Sequence, residues 1–141
     1  MAQIDFYILA TNDPDTRLRM VCRTTEKAYR LDHRVHIHTG SNTLSRHLDE
    51  LLWTFRDGSF IPHGIQPGED DSAPVTLGND WVPPHGDVLI NLAADAPPFA
   101  ERFERIIEVV DQDRGVHTQG RHRYRSYRED GHTLSHHRIE G

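Results

Sequence analysis

The segment Asp87–Leu92 constrains the fold most, because it reads Asp-Val-Leu-Ile-Asn-Leu and is almost continuously apolar. A run of this length is typical of an interior strand of a parallel sheet, which is buried on both faces. Further strand-like runs occur at 4–9, 34–38 and 105–110, although a helix continuing from Phe99 fits the last of these almost as well. A strand of this kind requires other segments that cover both faces of its sheet.

Helical patterns lie between these strands. One extends from about Thr16 to Leu31, and a second follows Ser41, a good N-cap, with leucines at helical spacing. A third is expected over 114–130 and ends before Gly131, which suits a left-handed C-cap. The alternation predicts an α/β domain, 1–141, with three layers and a mostly parallel, Rossmann-like sheet.

Gly, Pro, Asp and Ser dominate between residues 56 and 84, where the sequence predicts a loop containing at most one short strand, Val75–Leu77. The first strand-to-helix turn, Ala10–Asp15, reads Ala-Thr-Asn-Asp-Pro-Asp. It has no glycine, and its two aspartates would repel a pyrophosphate group. We therefore expect no nucleotide and no other cofactor.

Histidines raise the question of a metal site. His36 and His38 share one face of a predicted strand, and His132, His136 and His137 lie near the end of the chain. They lack the H-E-x-x-H and C-x-x-C spacings of metal sites, and no G-x-S-x-G motif is present. The sequence thus predicts neither a metal site nor a catalytic centre. The alternative is a small α/β enzyme of unrecognised type, metal-dependent through its histidines.

The single cysteine, Cys22, excludes an internal disulfide framework and fits a reducing compartment. It lies within a predicted helix, where we expect it to be buried as a small apolar residue. The chain begins almost at once with a strand-like run, and no stretch of 18 apolar residues occurs. These features predict a cytoplasmic protein without a membrane span.

Charge is distributed unevenly along the chain. The protein has a net charge of −6, yet residues 114–141 contain six arginines and three acidic residues. If this segment is helical, four of its side chains lie in one stripe along the helix: Arg121, Tyr124, Arg125 and Arg128. Arginine suits bidentate recognition of carboxylate or phosphate, so the stripe indicates an anionic partner. A solvated helix face is the alternative, and the negative net charge argues against direct DNA binding.

The opposite side of this helix is expected to face the protein. Val116 and Tyr127 would contact the core there, and the aliphatic part of Arg123 would cover apolar surface while its charge reaches water. Gly115 and Gly120 are the weak points, because each costs about 1 kcal/mol relative to alanine within a helix.

An aromatic cluster lies between Trp53 and Pro62, and it also contains Phe55, Phe60 and Ile61. Two interpretations remain open for it. The residues could fill the core at a helix end, or they could form an exposed hot spot for a protein partner.

Several segments together resemble one family, the chi subunit of bacterial DNA polymerase III. In chain order these segments are Phe-Tyr-Ile-Leu from Phe6, Ala-Tyr-Arg-Leu from Ala28, Leu52-Trp53, Ser-Phe-Ile-Pro-His from Ser59, Asp87–Leu92, Glu-Val-Val-Asp from Glu108 and Arg-Tyr-Arg-Ser-Tyr-Arg from Arg123. The resemblance covers nearly the whole chain. It implies a nucleotide-binding-like α/β fold that binds no nucleotide, and a non-catalytic accessory subunit of a DNA-directed DNA polymerase complex.

The resemblance also implies two protein partners. One is the psi subunit, which would join the chain to the clamp loader, and Trp53, Phe60 and Pro62 match the aromatic patch assigned to that contact. The other is the acidic C-terminal tail of single-stranded DNA-binding protein, which ends in Pro-Phe and would dock on the stripe Arg121, Tyr124, Arg125 and Arg128. The segment 112–120 departs from the family pattern, being shorter and richer in glycine, so His117 is not carried over as a tail contact.

Overall fold

The computed structural model describes residues 2–68 and 72–139, and its centre is a seven-stranded sheet in which every pair of neighbouring strands is parallel. The strands are β1 (Gln3–Leu9), β2 (Val35–His38), β3 (His63–Gln66), β4 (Val75–Gly78), β5 (Val88–Asn91), β6 (Arg105–Val110) and β7 (Thr133–Ile139). Their order across the sheet is β3-β4-β2-β5-β6-β1-β7, which places β3 and β7 at the two edges.

Helices cover both faces of the sheet. The helices are α1 (Pro14–Arg30), α2 (Asn42–Thr54) and α3 (Arg114–Glu129), and a single 3-10 turn spans Ala100–Arg102. Apolar residues of α1 and α2 form one core cluster with one side of the sheet, and those of α3 and the 3-10 turn form a second cluster on the other side. The predicted three-layer α/β fold is therefore confirmed. Among the described residues, no helix has the length and apolar character needed to cross a bilayer.

Capping residues explain where the helices begin and end. Ser41 caps α2 as predicted, since its hydroxyl accepts a hydrogen bond from Leu44 N. Asp113 caps α3 in the same way, through Val116 N. At the end of α3, Gly131 has a φ of 85°, and His132 N donates back to Tyr127 O, a Schellman motif. The predicted C-terminal glycine cap is confirmed.

The two edge strands, β3 and β7, were not predicted from the sequence. β3 lies in the region predicted as loop, and it is glycine-containing and only partly buried. β7 was not predicted at all, because its sequence Thr-Leu-Ser-His-His-Arg-Ile lacks an apolar run. An edge strand has a neighbour on one side only, so it needs less apolar surface than an interior strand. Of the histidines near the end of the chain, His136 and His137 thus belong to β7, and His132 immediately precedes it.

Close packing against the sheet explains why a glycine occupies position 120 of α3. A β-carbon built at Gly120 would lie 2.8 Å from Cγ1 of Val110, on the strand beneath α3. Gly120 therefore allows the close approach of α3 to β6, and its low helix propensity is offset by that packing. Gly115 has no such role, because a β-carbon there would meet only Asp113 Oδ2, at an ordinary 3.4 Å.

We expect these two glycines to respond oppositely to alanine. Gly120→Ala should lower the free energy of unfolding by about 1–2 kcal/mol, because the clash with the stiff Val110 side chain exceeds the gain in helix propensity. Gly115→Ala should raise it by up to about 1 kcal/mol. Urea unfolding of both variants measures the difference, and a stabilised Gly120→Ala protein would show that α3 does not require this close approach.

Candidate protein-interaction sites

A buried ion pair fixes the orientation of α3 on the sheet. The Arg123 side chain is only 6% exposed, and its Nε and one terminal nitrogen each lie 3.0 Å from Glu108 Oε1 on β6. The other terminal nitrogen of Arg123 donates to Ala94 O at 2.7 Å. The prediction that Arg123 reaches water was wrong. The carboxylate of Glu108, on the strand beneath α3, is fully buried and therefore requires a charged partner, which the guanidinium group of Arg123 supplies.

The second oxygen of Glu108 is satisfied as well. Tyr127 Oη donates to Glu108 Oε2 at 2.8 Å, and Asn91 Nδ2 donates to the same oxygen at 3.0 Å. Burial, followed by the neighbouring Glu108 carboxylate, raises the pKa of Tyr127, so its hydroxyl remains a donor. Tyr127 and Val116 contact the core as predicted.

The stripe on α3 faces away from this ion pair. Arg121, Arg125 and Arg128 are exposed, and none of them forms a salt bridge within residues 2–68 and 72–139. Tyr124 is half-buried, with its ring edge-on to Phe6 at a centroid distance of 5.2 Å. The stripe thus presents three unneutralised guanidinium groups beside one immobilised aromatic ring.

A cavity of about 400 Å³ lies where β1 and β7 end and α3 begins. Its lining includes Ile8, Gln112, His117 and Arg138. His117 lies one helical turn before Arg121, so the cavity adjoins the N-terminal end of the stripe. The sequence did not indicate this cavity, because one of its lining residues, Arg138, belongs to strand β7, which was not predicted.

The aromatic patch, consisting of Trp53, Phe60 and Pro62, is exposed. Phe60 is 80% exposed and Trp53 is 49% exposed, so these residues do not fill the core; of the larger aromatic cluster, Ile61 is the one that is fully buried. The patch lies at the end of α2 and immediately before the edge strand β3. Of the two interpretations left open by the sequence, exposure favours a surface for a partner.

The loop that carries Phe60 is anchored on both sides. Ser59 is buried and its hydroxyl donates to Glu26 on α1 at 2.9 Å, while Ile61 is 2% exposed. His63 then holds Trp53, with ring centroids 4.3 Å apart, and its two nitrogens lie 2.6 Å from Ile61 O and 2.9 Å from Asp49 O. The Trp53 ring and the backbone that carries Phe60 are therefore positioned before any partner binds.

The strand histidines are buried rather than superficial. His36 is fully buried with Nδ1 2.8 Å from Thr76 Oγ1, and both His36 and His38 contact the ring of Phe99. Burial, with smaller contributions from His38 and His85, lowers the pKa of His36 to about 3, so the imidazole is neutral at ordinary pH. Their place on one face of β2 was predicted correctly, but their burial was not.

One group of side chains in the described part of the chain could approach a metal ion, namely Glu101, Asp130 and His132. Its chemistry opposes that role. His132 Nδ1 accepts a hydrogen bond from Ala2 N at 3.0 Å, which requires the proton to reside on Nε2 in the neutral ring. With its Nδ1 lone pair engaged and its Nε2 protonated, His132 has no ring nitrogen free to bind a metal ion in this state.

Comparison with known proteins identifies the family of the chain. A family model for the DNA polymerase III chi subunit, HolC, matches residues 1–135. The chain belongs to the chi subunit family.

Individual relatives cover almost the full length of the chain. It is 40% identical to the DNA polymerase III subunit chi of Pseudomonas aeruginosa over 140 residues, which cover 99% of this chain and 98% of the relative. It is 32% identical to the subunit of Haemophilus influenzae, with 92% of each chain covered, and 29% identical to that of Escherichia coli, with 96% and 97% covered.

The fold also occurs in a larger protein. The crystal structure of T4 UvsW superposes on 99% of this chain with a TM-score of 0.70, at 6% sequence identity, and the chain spans 41% of that protein. At this level of identity the likeness shows the α/β fold alone.

At the first strand-to-helix turn of this chain, Asp13 accepts hydrogen bonds from Asp15 N and Thr16 Oγ1, so a carboxylate occupies the N-terminus of α1.

We expect removal of the buried guanidinium to destabilise the protein strongly. Arg123→Ala should lower the free energy of unfolding by about 3–5 kcal/mol, because Glu108 would remain buried without its ion-pair partner. Arg125→Ala removes the same charge from the exposed face of the same helix and should change stability by less than about 0.5 kcal/mol. Equal losses in the two variants, measured by urea unfolding, would contradict this assignment.

Proposed function

We propose that this chi family member is a non-catalytic adaptor in the replicative DNA polymerase. It links the clamp loader, through the psi subunit, to the acidic C-terminal tail of single-stranded DNA-binding protein. The observation that carries the proposal is the unneutralised stripe of Arg121, Tyr124, Arg125 and Arg128. Family membership supplies the replication context, and the chemistry of the stripe supplies the class of ligand.

The stripe has the groups that an acidic tail ending in Pro-Phe requires. Arg121 and Arg125 lie one turn apart and can each bind a carboxylate through two N–H groups. The half-buried Tyr124 ring offers an edge for the terminal phenyl ring. Arg128 extends the positive surface toward acidic residues that precede the terminus.

A peptide titration tests the tail contact. A labelled acidic peptide that ends in Pro-Phe should bind saturably in fluorescence anisotropy, and more weakly as salt is raised, because charges contribute much of the attraction. Arg121→Ala should weaken binding by at least about tenfold, the loss of one charge-assisted carboxylate contact.

Arg46→Ala is the matched control. Arg46 is an exposed arginine on α2, on the other side of the sheet, so its removal changes the net charge equally without touching the stripe. Undiminished binding by Arg121→Ala, or the same loss in both variants, would refute the stripe as the tail site.

We assign the psi contact to the aromatic patch, Trp53, Phe60 and Pro62. Exposed aromatic rings of this kind are enriched at the centres of protein interfaces. The patch lies beside edge strand β3, whereas α3 packs on β6 and β7 near the other edge. Both partners could therefore bind simultaneously without contact between them.

Alanine substitution tests the patch. Phe60→Ala should weaken binding of a psi subunit by about thirtyfold, the effect of losing a hot-spot ring. Val82→Ala removes an apolar side chain that is 53% exposed elsewhere and should leave binding unchanged. Surface plasmon resonance with the immobilised psi subunit measures both, and retention of affinity by Phe60→Ala would exclude the patch as the psi site.

A further inference from the structure

A second basic surface lies on the side of the molecule covered by α1 and α2. A cavity of about 330 Å³, here called the α1 groove, is lined by Thr16, Arg19, Arg23, Phe55 and Arg56. It is on the opposite side of the sheet from α3 and its stripe. None of the residues that the family resemblance assigns to a partner lines this groove.

Two of its arginines form no salt bridge with the described residues. Arg19 and Arg23 are exposed and lie one helical turn apart, and no carboxylate among the described residues comes within 4.0 Å of either. The side-chain contact of Arg23 is to Met20 Sδ, at 3.9 Å. Like charges at this spacing repel each other, so an anion bound between them would be stabilised.

The nearby Glu26 is already engaged. Its carboxylate accepts from Arg56 at 2.6 Å and from Ser59 at 2.9 Å, and it lies 3.6 Å from Arg30. The hydrogen bond from Arg56 is the main reason that the pKa of Glu26 is lowered. The groove thus retains net positive charge on a chain whose net charge is −6.

Phe55 gives the groove an apolar wall. It is half-buried and packs against the core formed with α1 and α2, as does Met20, so its position is fixed. The groove therefore combines guanidinium groups with an immobile apolar surface. The loop from Arg56 to Phe60 connects it to the aromatic patch, which makes it continuous with the proposed protein interface.

We propose that the α1 groove binds an acidic, partly apolar peptide segment of a protein partner. Carboxylates of the segment contact Arg19 and Arg23, and an apolar side chain packs on Phe55. A peptide fits better than single-stranded nucleic acid, because one half-buried ring offers no platform for successive bases and the acidic body repels a phosphate backbone.

The test uses a labelled peptide in which aspartates flank a Leu-Phe pair, with an amidated C-terminus so that no terminal carboxylate is present. The protein should bind it with an affinity that falls as salt is raised. Arg19→Glu/Arg23→Glu should weaken binding at least about tenfold, because two attractive charges become repulsive. Arg46→Glu/Arg102→Glu makes the same change in net charge at two exposed arginines outside the groove and the stripe, and should weaken binding by less than about threefold.

Three outcomes would overturn the proposal. These are unchanged binding by Arg19→Glu/Arg23→Glu, equal losses in both double variants, and stronger binding of oligo-dT than of the peptide at the same two arginines. Thermal unfolding checks that each variant is folded, and the milder Arg19→Gln/Arg23→Gln should show a smaller loss in the same direction. Retained binding of the Pro-Phe tail peptide by Arg19→Glu/Arg23→Glu would separate this groove from the stripe.

Discussion

The buried carboxylate of Glu108 is the constraint on which the arrangement of α3 depends. Transfer of such a group from water costs several kcal/mol, and the cost is offset only if charge and hydrogen bonds are supplied in the right geometry. Arg123 and Tyr127 supply them from α3, and Asn91 supplies another from β5. Only one rotation of the helix brings Arg123 and Tyr127 inward together, and that rotation turns the arginine stripe outward.

The sheet acts as a rigid spacer between two chemically different surfaces. Its strands are parallel throughout, so connections must cross its faces, and helices cover both. The chain uses this architecture without the glycine-rich turn that dinucleotide-binding proteins of this architecture place after the first strand. Instead, Asp13 caps α1 and Pro14 is its first residue. The cap stabilises the first turn of the helix and places a carboxylate at the positive end of the helix dipole. The two contacts proposed for psi and for the acidic tail lie near the edges of the sheet.

Interior elements could be predicted from sequence because they carry a strong periodic signal. The strand at Asp87–Leu92 and the helices with capped ends were predicted within a few residues. The edge strands β3 and β7 could not, because their pairing partners, rather than their own composition, stabilise them.

For the candidate sites too, features within one element could be predicted from the sequence, whereas features that depend on residues distant in sequence could not. Helical spacing alone grouped Arg121, Tyr124, Arg125 and Arg128, since the stripe lies on one element. Arg123 was misjudged because its partner, Glu108, is near only in three dimensions. The α1 groove joins residues of α1 to residues that follow α2 and are distant in sequence, so no local pattern could have indicated it.

The position of the two proposed contacts at opposite edges has a mechanical consequence. A partner held at the β3 edge and another held near the β7 edge would pull across the sheet, perpendicular to its strands. Because Arg123 ties α3 to Glu108 on β6, the load would then pass in series through the backbone ladders from β3–β4 to β5–β6. In that geometry the ladder that ruptures first, rather than the total stability of the fold, sets the force that such a tether withstands.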